Sequence, residues 1–269
     1  PAPQPLSRSG LALSGCSRGR VEEPTGTGVH LDTGVHLDVG DVSSGITMPP
    51  PTKELGKAFP DLTVNETAER KEVLDNMASS GVGSVYIFFG HGALPTDGTA
   101  AVGVNPASGS TVMGPDIQDG LATGDPPHTG LNPCTQPTLV ILGACASASL
   151  LPGVNAAGTP VAMGFTQTLS GTLASNAVLT FMKSLQAGET FAQAQRAADI
   201  KALSQSRHIE RDLTGEEAYQ AGQRRLAMSF RDESYSDTMT LAEAKAQHHK
   251  ETEAKAQHHK ETKETPGCR

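Results

Sequence analysis

Val85-Tyr86-Ile87-Phe88-Phe89, closed by Gly90-His91-Gly92, is the stretch that decides the fold of this chain. Five consecutive large apolar residues are too few for an ordinary helix, and they lack the polar alternation of a half-exposed strand. They match a strand buried on both faces. A second run of the same kind, Leu139-Val140-Ile141-Leu142, ends in Gly143-Ala144-Cys145. Together the two runs predict a mostly parallel sheet with helices on both faces, an α/β fold. In such sheets ligands bind outside the carboxyl ends of the strands, so His91 and Cys145 are expected to meet there. A thiol beside an imidazole is what nucleophilic cysteine chemistry requires.

The flanking segments supply the covering helices. Asp61-Leu62-Thr63-Val64 predicts a short strand, with Asn65 as the N-cap of a helix whose stripe is Val73, Leu74 and Met77 and which ends at Ser79-Ser80-Gly81. Followed by the His91 strand, this order is a parallel crossover unit. Residues 93–137 are rich in Gly, Pro and Asp and read as a long connection, with a short helix at Pro115 to Leu121. Residues 173–187 and 190–204 read as helices separated by Gly188, and Thr214-Gly215-Glu216-Glu217 as a capping box that opens a third.

Phe-Phe-Gly-His-Gly followed by Leu-Gly-Ala-Cys-Ala-Ser-Ala resembles the catalytic blocks of the caspase-like (clan CD) cysteine peptidases, closest to CHAT domains with separase-like features. The likeness continues through Gly153 to Phe165, similar to the family's small-residue loop and next strand. It extends through Ala174 to Gly188 and Gly188-Glu189-Thr190-Phe191-Ala192-Gln193-Ala194, similar to its later helices. It covers roughly residues 61–203. It implies a caspase-like three-layer sandwich and a cysteine endopeptidase with a Cys145–His91 dyad acting on protein or peptide substrates. It further implies an oxyanion hole from the N–H groups of Gly92 and Cys145, and substrate contacts at Ala144, Gln167 and Thr168. No cofactor, metal or third catalytic residue is expected. The segment Phe165 to Gly171 lacks the tryptophan and aspartates common in CHAT and separase sequences, and no carboxylate flanks Cys145. A neutral first pocket is therefore expected. The same departure admits an alternative, a catalytically degenerate protein-interaction module.

Composition bounds these readings. The 269 residues carry a formal charge of −8, which argues against a general nucleic-acid binder. No apolar stretch approaches 18 residues, and no basic segment followed by an apolar one opens the chain, so neither a membrane span nor a secretory signal is expected. Four cysteines (Cys16, Cys134, Cys145, Cys268) make no disulfide framework at this length. A reducing, cytoplasmic setting follows, with a regulatory protein as a possible partner. By texture the chain divides into a Gly/Pro/Ser-rich segment 1–52, poorly ordered or partly strand, a peptidase domain 53–230 and a charged tail 231–269.

Two short repeats stand outside the core. Gly28-Val29-His30-Leu31-Asp32-Thr33 is followed by Gly34-Val35-His36-Leu37-Asp38-Val39, and each copy reads as an edge strand. Glu243 to Thr252 recurs unchanged as Glu253 to Thr262 and reads as a solvated helix or tail. Both contain histidines, and in both a metal site is the weaker interpretation.

Overall fold

The computed structural model describes residues 34–39, 51–66, 68–93, 101–105, 110–113, 136–205 and 213–264. In chain order the strands are β1 (Val35–Val39), β2 (Leu62–Asn65), β3 (Val85–Phe89), β4 (Gly92–Ala93), β5 (Ala101–Asn105), β6 (Ser110–Met113), β7 (Leu139–Gly143), β8 (Val161–Phe165) and β9 (Leu226–Phe230). The helices are α1 (Thr52–Ala58), α2 (Arg70–Ser79), α3 (Leu151–Ala156), α4 (Gly171–Gln186), α5 (Phe191–Gln205), α6 (Gly215–Gln220) and α7 (Leu241–Glu264). A 3-10 turn, Ser147–Leu150, precedes α3.

Six strands form one sheet in the order β2-β1-β3-β7-β8-β9. All neighbours run parallel except β9, which is antiparallel to β8. The strands of the two apolar runs are adjacent and buried along their whole length. Their side chains alternate between two cores, as strand geometry demands. Val85, Ile87, Phe89, Leu139 and Ile141 pack with residues of α1, α4, α5 and α7. Tyr86, Phe88, Val140 and Leu142 pack with residues of α2 and α3. Each such side chain contributes about 1.5–3 kcal/mol by leaving water. A mostly parallel sheet with helical layers on both faces is compatible with a three-layer sandwich.

The structure departs from these expectations at several points. The second copy of the first repeat is β1, not an edge strand. It lies between β2 and β3, so a boundary at residue 52 cuts through the sheet, and β2 and β3 are not neighbours. Its polar residues are satisfied inside. The carboxylate of buried Asp38 accepts hydrogen bonds from Tyr86 Oη at 2.6 Å and Asn76 Nδ2 at 3.0 Å, and meets His36 Nε2 at 2.9 Å. Asn65 does not cap α2 but ends β2. Ala68 is buried, its N–H donating to Val39 O at 3.1 Å, which keeps the chain extended until Glu69 opens the helix in a capping box with Glu72. The Gly-, Pro- and Asp-rich connection after β3 contains a small antiparallel sheet, β4-β5-β6. The helix expected at Pro115 to Leu121 lies outside the described residues, as does the first copy of the first repeat.

The tail is corrected as well. Tyr235, Leu241 and Ala244 join the core, and Lys245 and His248 are buried beside them. Leu241, Ala244, Lys245 and His248 are spaced i, i+3, i+4 and i+7 along α7, a helix face, but two of the four are polar and conceal it. Thr240 and Glu243 form a capping box at the start of α7, with Glu243 N donating to Thr240 Oγ1 at 3.2 Å and Thr240 N to Glu243 Oε2 at 2.7 Å. An ion pair between Arg231 and Glu251 ties the helix to the end of β9. In the second decapeptide Glu253, Ala254 and Lys255 are exposed, as expected of a solvated helix.

Candidate active site

The site is built at the carboxyl edge of β3 and β7. The two strands pair in register from Val85 with Leu139 to Phe89 with Gly143, so the residues just beyond, His91 and Cys145, leave the same edge two positions later. Gly92 opens β4 and pairs with Val102. A Cβ placed on Gly92 would overlap the carbonyl oxygen of Cys145 and stand 2.7 Å from its nitrogen. The backbones of Gly92 and Cys145 therefore lie side by side, and only a residue without a side chain permits it.

Cys145 is half-buried, and its sulfur faces Leu169. The thiol donates to the Leu169 carbonyl at 3.3 Å, and Sγ accepts the Leu169 N–H at the same distance. Ala146 follows with φ of 54°, a left-handed conformation that costs a non-glycine residue about 1–2 kcal/mol. Strain of this kind persists where the surroundings over-determine it, and it collects at functional sites. Here the surroundings are explicit. Ala146 N donates to Gln167 O at 3.2 Å, and buried Ser147 donates to Leu142 O at 2.7 Å while accepting Phe165 N at 3.1 Å. Ser147 thus staples the ends of β7 and β8, and the chain turns sharply at Cys145. Gly164 makes room for that turn, since a Cβ there would stand 2.9 Å from Ser147 Oγ.

The expected substrate contacts divide. Gln167 and Thr168 are exposed beside the cysteine turn. Ala144, by contrast, is buried in the core on the α2 side. It points inward because it continues the inward alternation of Val140 and Leu142.

Two supports of the site, Leu169 and Asp199, have little or no mark in the sequence. Leu169 acts through its backbone, for which no side-chain signal exists. Asp199 of α5 is buried and accepts Arg225 N at 2.6 Å and Leu226 N at 2.9 Å, fixing the start of β9. Arg225 O in turn accepts Thr166 N at 2.9 Å, so the segment beside Cys145 rests on this anchor. Burial raises the Asp199 carboxyl to about 6, against the opposing pull of the two N–H bonds and of Arg224 and Arg225. A lone Asp beside Ala194, Ala198 and Ala202 on an otherwise apolar face was the available signal.

Among the described residues no cluster of three or more His, Cys, Asp or Glu side chains is placed to hold a metal. His36 and Asp38 instead engage each other, and Asp38 is filled further by Tyr86 and Asn76. No protein-family model matches this chain, and no curated protein matches it.

Proposed function

We propose that this chain is a cysteine endopeptidase of the caspase/CHAT type, with Cys145 as nucleophile and His91 as its acid–base partner. The observation that carries the proposal is the shared carboxyl edge of β3 and β7, where Gly92 lies against Cys145. In this mechanism the Cys145 thiolate attacks the scissile carbonyl and forms a thioester as the C–N bond breaks. His91 protonates the departing amine. A water molecule then hydrolyses the thioester and restores the thiol. The oxyanion would be held by the N–H groups of Gly92 and Cys145, which the close backbone approach supports. The sheet order supports the same reading, since its parallel portion, 2-1-3 followed by the next two strands, is a doubly-wound order whose ligands bind at the carboxyl edge.

A second reading, a catalytically degenerate interaction module, is favoured by one observation. The sulfur is engaged on both sides by the Leu169 backbone, so the 166–170 segment must yield before a peptide reaches it. A peptide carrying an electrophilic acyloxymethyl ketone separates the two. For a peptidase, mass spectrometry finds the probe on Cys145, and His91→Ala reduces labelling at least about tenfold, a change of some 1.4 kcal/mol in the barrier. Alkylation of Cys145 by iodoacetamide without any labelling by the peptide probe would assign the chain to the interaction class.

A further inference from the structure

Side chains as well as backbone hold β1 between β2 and β3. Gly34 O accepts Val85 N at 2.9 Å, Val39 O accepts Ala68 N at 3.1 Å, and Val35, Leu37 and Val39 are buried in the core. On the other face His36 stacks on the Tyr86 ring, 5.8 Å between centroids, and bonds Asp38. The buried Asp38 carboxylate also takes Tyr86 Oη and Asn76 Nδ2. A carboxylate buried without such partners is costly, and so is any polar side chain at the core positions. The slot therefore selects its strand: apolar residues first, third and fifth, His second and Asp fourth.

Gly28-Val29-His30-Leu31-Asp32-Thr33, directly before β1 in sequence, meets every one of these requirements but the last, where Thr33 stands for Val39. Val-His-Leu-Asp occurs nowhere else in the 269 residues. The copies are six residues apart, an even number, so exchanging them keeps each type of side chain on its own face. An odd shift would invert the strand. Two effects favour residues 35–39 over residues 29–33. Thr33 would bring a hydroxyl to the apolar site of Val39, which similarity of shape does not offset. The connection to α1 would grow from residues 40–51 to residues 34–51, a lengthening by half that lowers the chance of loop closure about twofold.

We propose that β1 has two registers, with residues 29–33 able to replace residues 35–39 between β2 and β3. The exchange has a direction. Val39 pairs with Phe89 at the carboxyl edge, so the displaced residues 34–39 join the connection at the edge from which His91 and Cys145 leave. The register thus sets the length of chain connected at the edge of the candidate site.

Engineered cysteine pairs in the full chain read the register, because Thr63 of β2 lies opposite His36 and neighbouring strands are about 4.8 Å apart. His36→Cys with Thr63→Cys reports residues 35–39 in the slot, and His30→Cys with Thr63→Cys reports residues 29–33. Mass spectrometry quantifies each disulfide after equilibration in a thiol buffer. Leu37→Lys places a charge at a buried position of the second copy alone. It is expected to keep a cooperative thermal transition and to raise the 30–63 cross-link at least about tenfold. Thr33→Val removes the misfit hydroxyl and is expected to raise the same cross-link several-fold. Leu31→Lys combined with Leu37→Lys is expected to lose the transition, since neither copy then fits. Loss of the transition in Leu37→Lys alone overturns the proposal, as does a folded Leu37→Lys without the 30–63 cross-link, or a yield unchanged by Thr33→Val. A double variant that still unfolds cooperatively overturns it too, because the slot then does not select its strand.

Discussion

Gly92 is the residue on which the candidate site is most exposed to a single change. A side chain there meets backbone atoms of Cys145, which cannot rotate away as a flexible side chain would. Gly92→Ala is expected to cost about 1–3 kcal/mol, as overpacking does, and to abolish labelling of Cys145 by a peptide probe. Denaturant midpoints and mass spectrometry read the two effects separately. An unchanged midpoint would mean that the two strand ends are not in contact. The segment beside the same turn carries only neutral residues, Thr166, Gln167 and Thr168, all exposed. In a peptide library cleavage is accordingly expected after neutral residues in preference to Arg or Lys. A strong Arg preference would require a carboxylate from elsewhere in the chain.

At the scale of the element, α7 is one helix with two environments. Its two decapeptides are identical, yet ten residues at 3.6 per turn leave the second copy rotated by about 80° and displaced by about 15 Å. The first copy therefore buries Ala244, Lys245 and His248, while Ala254 and Lys255 face solvent. Removing residues 253–269 is expected to change the unfolding free energy by under about 1 kcal/mol, as surface changes do. Removing 241–269 deletes Leu241 and Ala244, uncovers the apolar residues they pack against, and is expected to cost about 2–4 kcal/mol or more. Urea midpoints of the two truncations check this. Equal behaviour would mean that the first half of α7 does not pack on the sheet.

At the scale of the whole molecule, two buried titrating groups on different helices oppose each other. Asp199 has its folded pKa raised to about 6, so its contribution is fully present below its ordinary value near 3.8 and is lost as pH rises through 6. His248 has its folded pKa lowered to about 4 by burial, with Arg231 nearby. Its contribution is present above 6.5 and is lost as pH falls through 4. Nδ1 of His248 meets Thr138 Oγ1 at 3.0 Å at the foot of β7, where a protonated ring would be buried. Between about pH 4 and 6 the two slopes have opposite signs and offset in the native chain. Asp199→Asn should then show stability rising with pH across that window, and His248→Gln should show it falling. Thermal unfolding at half-unit intervals reads both, and parallel curves for the two variants would refute the assignment.

Local chemistry determined a large part of this protein. The runs 85–89 and 139–142 specify buried strands because a doubly covered sheet removes four or five adjacent large side chains from water in so short a segment. The box at Thr214 and Glu217 and the glycine between α4 and α5 are equally local, since a cap or a left-handed turn is satisfied within a few residues. The sequence also indicated that His91 and Cys145 end strands. Tertiary structure alone decided that β1 enters between β2 and β3, because Asp38 looks solvated until Tyr86 and Asn76, 48 and 38 residues away, complete its hydrogen bonds. It likewise decided that Lys245 and His248 are buried and that Leu169 faces the Cys145 sulfur. Burial of a polar side chain and the approach of a distant backbone depend on partners far along the chain, and no residue carries a local mark of them.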